Sequence, residues 1–216
     1  MIKISDISID QAALVLDNLA CVRGHRTLFK GISLQLKPGD LLRIKGANGA
    51  GKTSLLRMLC GLLLPSHGEV LWRGQSLARQ RGLFGREMLY LGHAAALKDD
   101  LSPLENLQDA CALGGNTSSR AAVLDALQAA GLQGHERRLA RTLSQGQRRR
   151  SALARLALSR NAPLWILDEP FNALDTAATA WLKELMETHL QTKGMVVLTS
   201  HQEISLNGPH TVDLAL

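Results

Sequence analysis

An α/β fold built around a parallel sheet is what this 216-residue sequence predicts, and three observations carry that expectation. Segments of strand length alternate with segments of helical period along most of the chain. Two of the strand segments, in "PLWILDEP" and "MVVLTSH", are apolar without alternation, the pattern of strands covered on both faces. In "LLRIKGANGAGKTSLLRML", residues 41 to 59, an apolar strand runs straight into a glycine-rich loop and then into a helix.

Taken in order, "ALVLDNL" (13 to 19) and "GISLQL" (31 to 36) alternate at the strand period. "DLLRIKG" is a strand, "TSLLRMLCGLL" has helical spacing, and "GEVLWRG" and "EMLYLGH" are further short strands, the last ending at His93. The pattern then turns helical, and an insert is expected between about residues 97 and 140. "SPLENLQDACALGG" begins with Ser102 as N-cap, Pro103 at the first helical position and Glu105 completing a capping box. "SSRAAVLDALQAAGL" sets Val123, Leu124, Leu127 and Ala130 on one face and stops at Gly131. A strand in "PLWILDEP", a helix in "TAATAWLKELMETHLQTKG" and a strand in "MVVLTSH" complete the alternation. One domain over residues 1–216 is expected, with a helical part over roughly 94–160.

Composition narrows the classes. The chain is 45% apolar and 20% charged, ordinary for a globular domain, and no stretch approaches an uncharged membrane span. "MIKISDISIDQ" carries Asp6 and Asp10 where a secretory signal needs an apolar core, so a cytoplasmic location is expected. Cys21, Cys60 and Cys111 are widely spaced, which points to buried reduced thiols. A net charge of +6 suits phosphate-bearing partners of any kind. Nucleic acid is disfavoured, because the basic cluster "ERRLARTLSQGQRRR" has no interleaved aromatics and only 3% of the chain is aromatic. Those arginines read as a solvated helix face.

The loop carries chemistry. "GANGAGKT" (Gly46, Ala47, Asn48, Gly49, Ala50, Gly51, Lys52, Thr53), followed by Ser54, fits G-x-x-x-x-G-K-T between strand and helix. Its amides can wrap phosphate oxygens at the positive end of a helix, Lys52 can reach the β- and γ-phosphates, and the Thr53 hydroxyl can hold Mg²⁺. Asp168 ends a buried strand, where a carboxylate is costly unless it meets a cation, and Glu169 follows at once. One carboxylate suits the metal's shell and the next suits an attacking water.

With "LSQGQ" (143 to 147) directly before an arginine-rich helix, the chain resembles the ATP-binding cassette (ABC) ATPase family over nearly its whole length. "GANGAGKT" is similar to the family's Walker A loop, "LSQGQ" to its signature, "PLWILDEP" to its Walker B strand, "NALD" to its D-loop and "TSH" to its switch histidine. The resemblance implies a P-loop NTPase, ABC nucleotide-binding domain with a RecA-like core, an antiparallel β subdomain and a short helical signature subdomain. It implies ATP and Mg²⁺ as ligands, with Lys52, Glu169 as base and His201 as γ-phosphate and water sensor in catalysis. It further implies that Ser144 and Gly146 of the signature face nucleotide bound to a second protomer, so that a homodimer forms the sites, and that Gln147 and Asp175 of the D-loop bind nucleotide. Two positions depart from the family's pattern. Arg23 stands where an aromatic residue commonly stacks on adenine, which a guanidinium plane can also do. His93 stands where a glutamine usually touches Mg²⁺.

Those departures, with "PLWILDEPF", "ENL" and the short insert, resemble the branch of the family that serves cytochrome c maturation, described as haem export. That branch implies membrane subunits like CcmB and CcmC, with CcmD, on the cytoplasmic face of the inner membrane, and an indirect role for the haem chaperone CcmE. No histidine here forms a recognisable haem-ligand motif, so direct haem binding is not expected. In the family the helical insert forms the groove for a coupling helix, which Leu97, Leu101, Leu104 and Leu107 can line, although the same leucines can equally pack the insert's own core. The alternative reading is the ATP-binding subunit of a different ABC transporter.

Overall fold

Five parallel strands give this molecule its working edge. They are β3 (Leu41–Lys45), β6 (Met88–Leu91), β7 (Leu164–Leu167), β8 (Met195–Thr199) and β9 (Thr211–Ala215), in the spatial order β6-β7-β8-β3-β9. The structure is a computed structural model and describes residues 13–115, 118–159, 162–201 and 204–216. Asp6 and Asp10, read above against a secretory signal, lie outside the described residues.

Alternation explains why β7 is apolar at every position. Leu164 and Ile166 face one core with Leu55, Leu56 and Leu59, while Trp165 and Leu167 face another with Leu182, Met186 and Leu190. The first core is covered by helix α1 (Lys52–Leu59) and by a second, antiparallel sheet of β1 (Leu14–Arg23), β2 (Arg26–Leu36), β4 (His67–Trp72) and β5 (Gln75–Ser76), ordered β2-β1-β4-β5. Strand β1 is bulged around Asn18, whose φ is +48°, and the β4 backbone passes so close at Gly68 that a Cβ there would lie 2.2 Å from the Asp17 carbonyl oxygen. Only glycine fits that crossing.

The second core is covered by α5 (Gln145–Leu158) and α6 (Thr176–Gln191). Helices α3 (Pro103–Leu113) and α4 (Arg120–Ala129) join α5 in a third core of Leu104, Leu107, Cys111, Val123, Leu127 and Ala154. The α3 start has the expected chemistry, with the Ser102 side chain accepting from the Glu105 amide and Glu105 answering to the Ser102 amide. Such a cap is worth about 1 kcal/mol. Of the four leucines with two possible roles, Leu104 and Leu107 are buried in the insert's own core, at roughly 1.5–3 kcal/mol each, and Leu97 and Leu101 are half-buried.

The sequence does not anticipate the short strand β5, helix α2 (Arg81–Glu87), between the strands of "GEVLWRG" and "EMLYLGH", or the exposed edge strand β9. All three cysteines are buried free thiols, as expected. Among the described residues no helix is long and apolar enough to cross a membrane.

Candidate active site

Because β3, β6, β7 and β8 run parallel, the segments that follow them emerge along one edge of the sheet, where ligands of open α/β sheets bind. Residues 46–51 follow β3, Gly92 and His93 follow β6, Asp168 and Glu169 follow β7, and Ser200 and His201 follow β8. Convergence at this rim is thus a product of topology and needs no long-range coincidence.

The glycine loop is shaped for a ligand. Gly51, at the N-cap of α1, has φ +109° and offers no capping side chain, so the first-turn amides of the helix are left for a guest. The Lys52 ammonium donates to the carbonyls of Gly46 at 2.8 Å and Ala47 at 3.2 Å, and the Ala50 amide closes the turn on Ala47. Asn48, Gly49, Gly51, Lys52, Thr53 and Ser54 line an open cleft of about 260 Å³ together with Leu28 and Glu169.

Behind the loop the acidic groups are locked together. The Thr53 hydroxyl donates to Asp168 Oδ2 at 3.0 Å, and the Thr199 hydroxyl donates to Asp168 Oδ1 at 2.7 Å. Thr199 Oγ1 in turn accepts from the Glu169 amide at 2.9 Å. The backbone of Glu169 is left-handed, φ +50°, which is costly for a residue with a Cβ. Its carboxylate oxygens are claimed by the Asn172 amide on one side and by His201 Nε2, at 2.9 Å, on the other. The Asp168 charge is felt on the wall behind it. Burial first, and Asp168 second, push the Cys60 thiol up to about 12 and raise Tyr90 above its ordinary value.

Arg149 contradicts the reading of the basic cluster as a solvated face. It is only 5% exposed, and its guanidinium donates to four carbonyls, those of Gly92 (2.9 Å), His93 (3.3 Å), Asp168 (2.8 Å) and Glu169 (2.9 Å). Burial lowers its pKa, while the carboxylates of Asp168 and Glu169 pull it back up. Three arginines in a row look alike in sequence; the only signal was that one of them had to face the sheet, 100° round the helix from its neighbours.

The remaining predicted residues are elsewhere. Ser144 is exposed and caps α5, accepting from the Gln147 amide at 3.2 Å while Gln147 Oε1 accepts from the Ser144 amide at 2.9 Å. Gly146 approaches the Ala173 carbonyl so closely that a Cβ would lie 2.8 Å from its oxygen. Asp175 caps α6 through the Ala178 amide at 2.8 Å. None of these four is among the cleft's lining residues. Arg23 is exposed at the β1–β2 turn, and the His93 side chain is exposed beyond β6.

Comparison with known proteins fits this geometry. The sequence profile of the ABC transporter family matches residues 29–172. The "Cytochrome c biogenesis ATP-binding export protein CcmA" of Methylococcus capsulatus is 51% identical over 197 residues, 91% of this chain and 95% of that protein. The protein of the same name from Dechloromonas aromatica is 52% identical over 190 residues, 88% of this chain and 93% of the relative. Among solved structures, a putative ABC transporter ATP-binding protein from Pyrococcus furiosus superposes with a TM-score of 0.79 at 25% identity, covering 93% of this chain and 96% of the other. The dimeric, post-hydrolysis ATP-binding cassette MJ0796, bound to ADP and Pi, gives 0.75 at 24% identity, with 88% of each chain covered.

Proposed function

We propose, from the premise that the chain belongs to the ABC transporter family and within it to the CcmA proteins, that it is the ATP-hydrolysing subunit of a membrane complex for cytochrome c maturation. The chain is an ABC ATPase and binds ATP. The observation that carries the residue assignment is the chain of contacts from Thr53 through Asp168 and Thr199 to Glu169 and His201 at the mouth of the glycine loop.

In this reading the loop amides and Lys52 cradle the phosphates, with Ser54 and Asn48 at the margin. As the water oxygen bonds to the γ-phosphorus and the bond to ADP breaks, Glu169 accepts the water's proton, and His201 holds the Glu169 carboxylate and the γ-phosphate in register. The Thr53 hydroxyl and Asp168, side by side, are the hard oxygen donors a magnesium ion takes, and they would hold it directly or through water. Bound there, Mg²⁺ supplies charge neutralisation of the β- and γ-phosphates. His93 and Arg23 are assigned to the metal's water shell and to the adenine. Ser144, Gly146, Gln147 and Asp175 are assigned to nucleotide held by a second copy, which fits their absence from the lining of this chain's cleft. Homodimerisation belongs to this assignment.

The relatives' names support service in cytochrome c biogenesis and export; in this reading the membrane subunits are like CcmB and CcmC, with CcmD, at the cytoplasmic face of the membrane, and hydrolysis releases the haem-loaded chaperone CcmE. Glu169→Gln is the test. ATP binding should persist while turnover falls about 10²–10⁴-fold, the usual contribution of a general base. A haem stain of membranes from cells carrying Glu169→Gln should show haem retained on the chaperone and mature c-type cytochromes missing. Normal cytochrome c alongside lost ATPase would assign the chain to a different ABC transporter.

A further inference from the structure

A buried guanidinium is expensive, and proteins ordinarily pair it with a carboxylate. Arg149 has no such ion pair among the described residues; it is spent on four main-chain carbonyls instead. Its Nε makes no hydrogen bond, so the fork is oriented by these carbonyls alone. The carbonyls come in two pairs, Gly92 and His93 beyond β6, and Asp168 and Glu169 beyond β7, and Nη1 serves the first pair while Nη2 serves the second.

The second pair includes the residue with the least comfortable backbone at the rim. Glu169, at φ +50°, is held at its amide by Thr199 and at its carbonyl by Arg149. A residue held through both of its flanking peptides fixes where its side chain leaves the main chain. We propose that Arg149 is a positioning residue that sets the Glu169 carboxylate through its backbone and ties that setting to α5 and to the segment at His93. Ser144 lies five residues before Arg149 on α5, about 7.5 Å along the axis. A shift of the signature turn, or of Gly92 and His93, therefore reaches Glu169 through one side chain. The inference rests on the reading of Glu169 as the group that activates water.

The test uses the purified full chain with Arg149→Gln and Arg149→Lys, each alone and combined with Glu169→Gln. Turnover in Arg149→Gln should fall at least about tenfold, with KM and the Kd for a fluorescent ATP analogue within about twofold of wild type. Arg149→Lys should recover part of the loss, since an ammonium can serve fewer of the four carbonyls. Added to Glu169→Gln, either change should lower the residual turnover no further, because both act through one group. Turnover within twofold of wild type in Arg149→Gln, equal losses in Kd and kcat, multiplicative loss in the double variant, or failure of both single variants to fold would each overturn the proposal, the last by making Arg149 a scaffold residue. Wild-type turnover in Glu169→Gln alone would instead remove the assignment of Glu169, and this inference with it.

Discussion

The rim beyond β7 and β8 and the turn that opens α5 contrast in how far a single chain satisfies them. At the rim, Asp168 is 3% exposed and both of its carboxylate oxygens accept threonine hydroxyls, while Glu169 is held at amide, carbonyl and side chain. At the turn, Ser144 and Gln147 answer each other's backbone amides, Gln147 Nε2 lies 3.2 Å from His135 Nε2, and the serine is exposed. The rim is a closed network within one chain. The turn is capped but leaves its serine at the surface, as the proposed half-site for a second copy requires.

Breaking the closed side should cost most. Thr199→Val removes the hydroxyl that donates to Asp168 and accepts from Glu169, leaving two buried polar groups without their partner. At about 1–3 kcal/mol per stranded group, stability should drop by roughly 2–6 kcal/mol in chemical denaturation, and turnover should fall further than nucleotide affinity. Thr199→Ser keeps the hydroxyl and should restore most of both. A Thr199→Val protein as stable and as active as wild type would mean that the rim is not a network.

How much of this was readable beforehand follows the same division. The loop "GANGAGKT", the strand-end Asp168 and Glu169, and the Ser102 capping box were legible because each is a local pattern with a local cause: backbone approach, a charge at a strand end, orphan amides. The parallel sheet was legible from apolar strands without alternation, since both faces of β7 are covered. Arg149 was not, because its burial is decided by which side of α5 meets β6 and β7; its neighbours Arg148 and Arg150 remain partly exposed beside Asp99 and Asp175. Helix α2 and strand β9 were missed for a related reason. Each is short: "RGLFGRE" carries two apolar side chains, and "TVDLA" alternates over only five residues.

A second prediction probes the wall behind β7, on the closed side. His189 of α6 is buried and stacks on Trp165, ring centroids 3.8 Å apart and planes 4° from parallel. Burial pushes its pKa down to about 4, against the ordinary 6.5, with backbone hydrogen bonds opposing. The folded-state pKa is the lower one, so as pH falls below 6.5 the unfolded chain takes up a proton that the folded chain refuses. Stability is therefore full above pH 6.5 and is lost progressively towards pH 4, by on the order of 3 kcal/mol. Denaturant unfolding at pH 7 and pH 4.5 should show a smaller acid loss in His189→Gln than in wild type. Equal losses in the two proteins would assign the acid sensitivity to carboxylates alone.

The smallest effect on stability, and the sharpest on the comparison, belongs to the open side. Ser144→Ala deletes the cap of α5 and should cost about 1 kcal/mol, read as a modest drop in Tm. Ser144→Asn should cost almost nothing, because asparagine caps as well as serine. If the hydroxyl serves only the helix, turnover should follow stability, with Ser144→Asn fully active. If the hydroxyl also meets nucleotide on a second copy, both variants should lose turnover by about tenfold or more while ATP binding to the single chain is unchanged, since neither touches the cleft lined by Lys52, Thr53 and Glu169. Mixing Ser144→Asn with Glu169→Gln separates the cases further. In a two-copy site a heterodimer of these chains has one site carrying both defects and one carrying neither, so the mixture should regain turnover that each parent lacks. No recovery on mixing, with both parents folded and dimerising, would confine Ser144 to capping and leave the site to one chain.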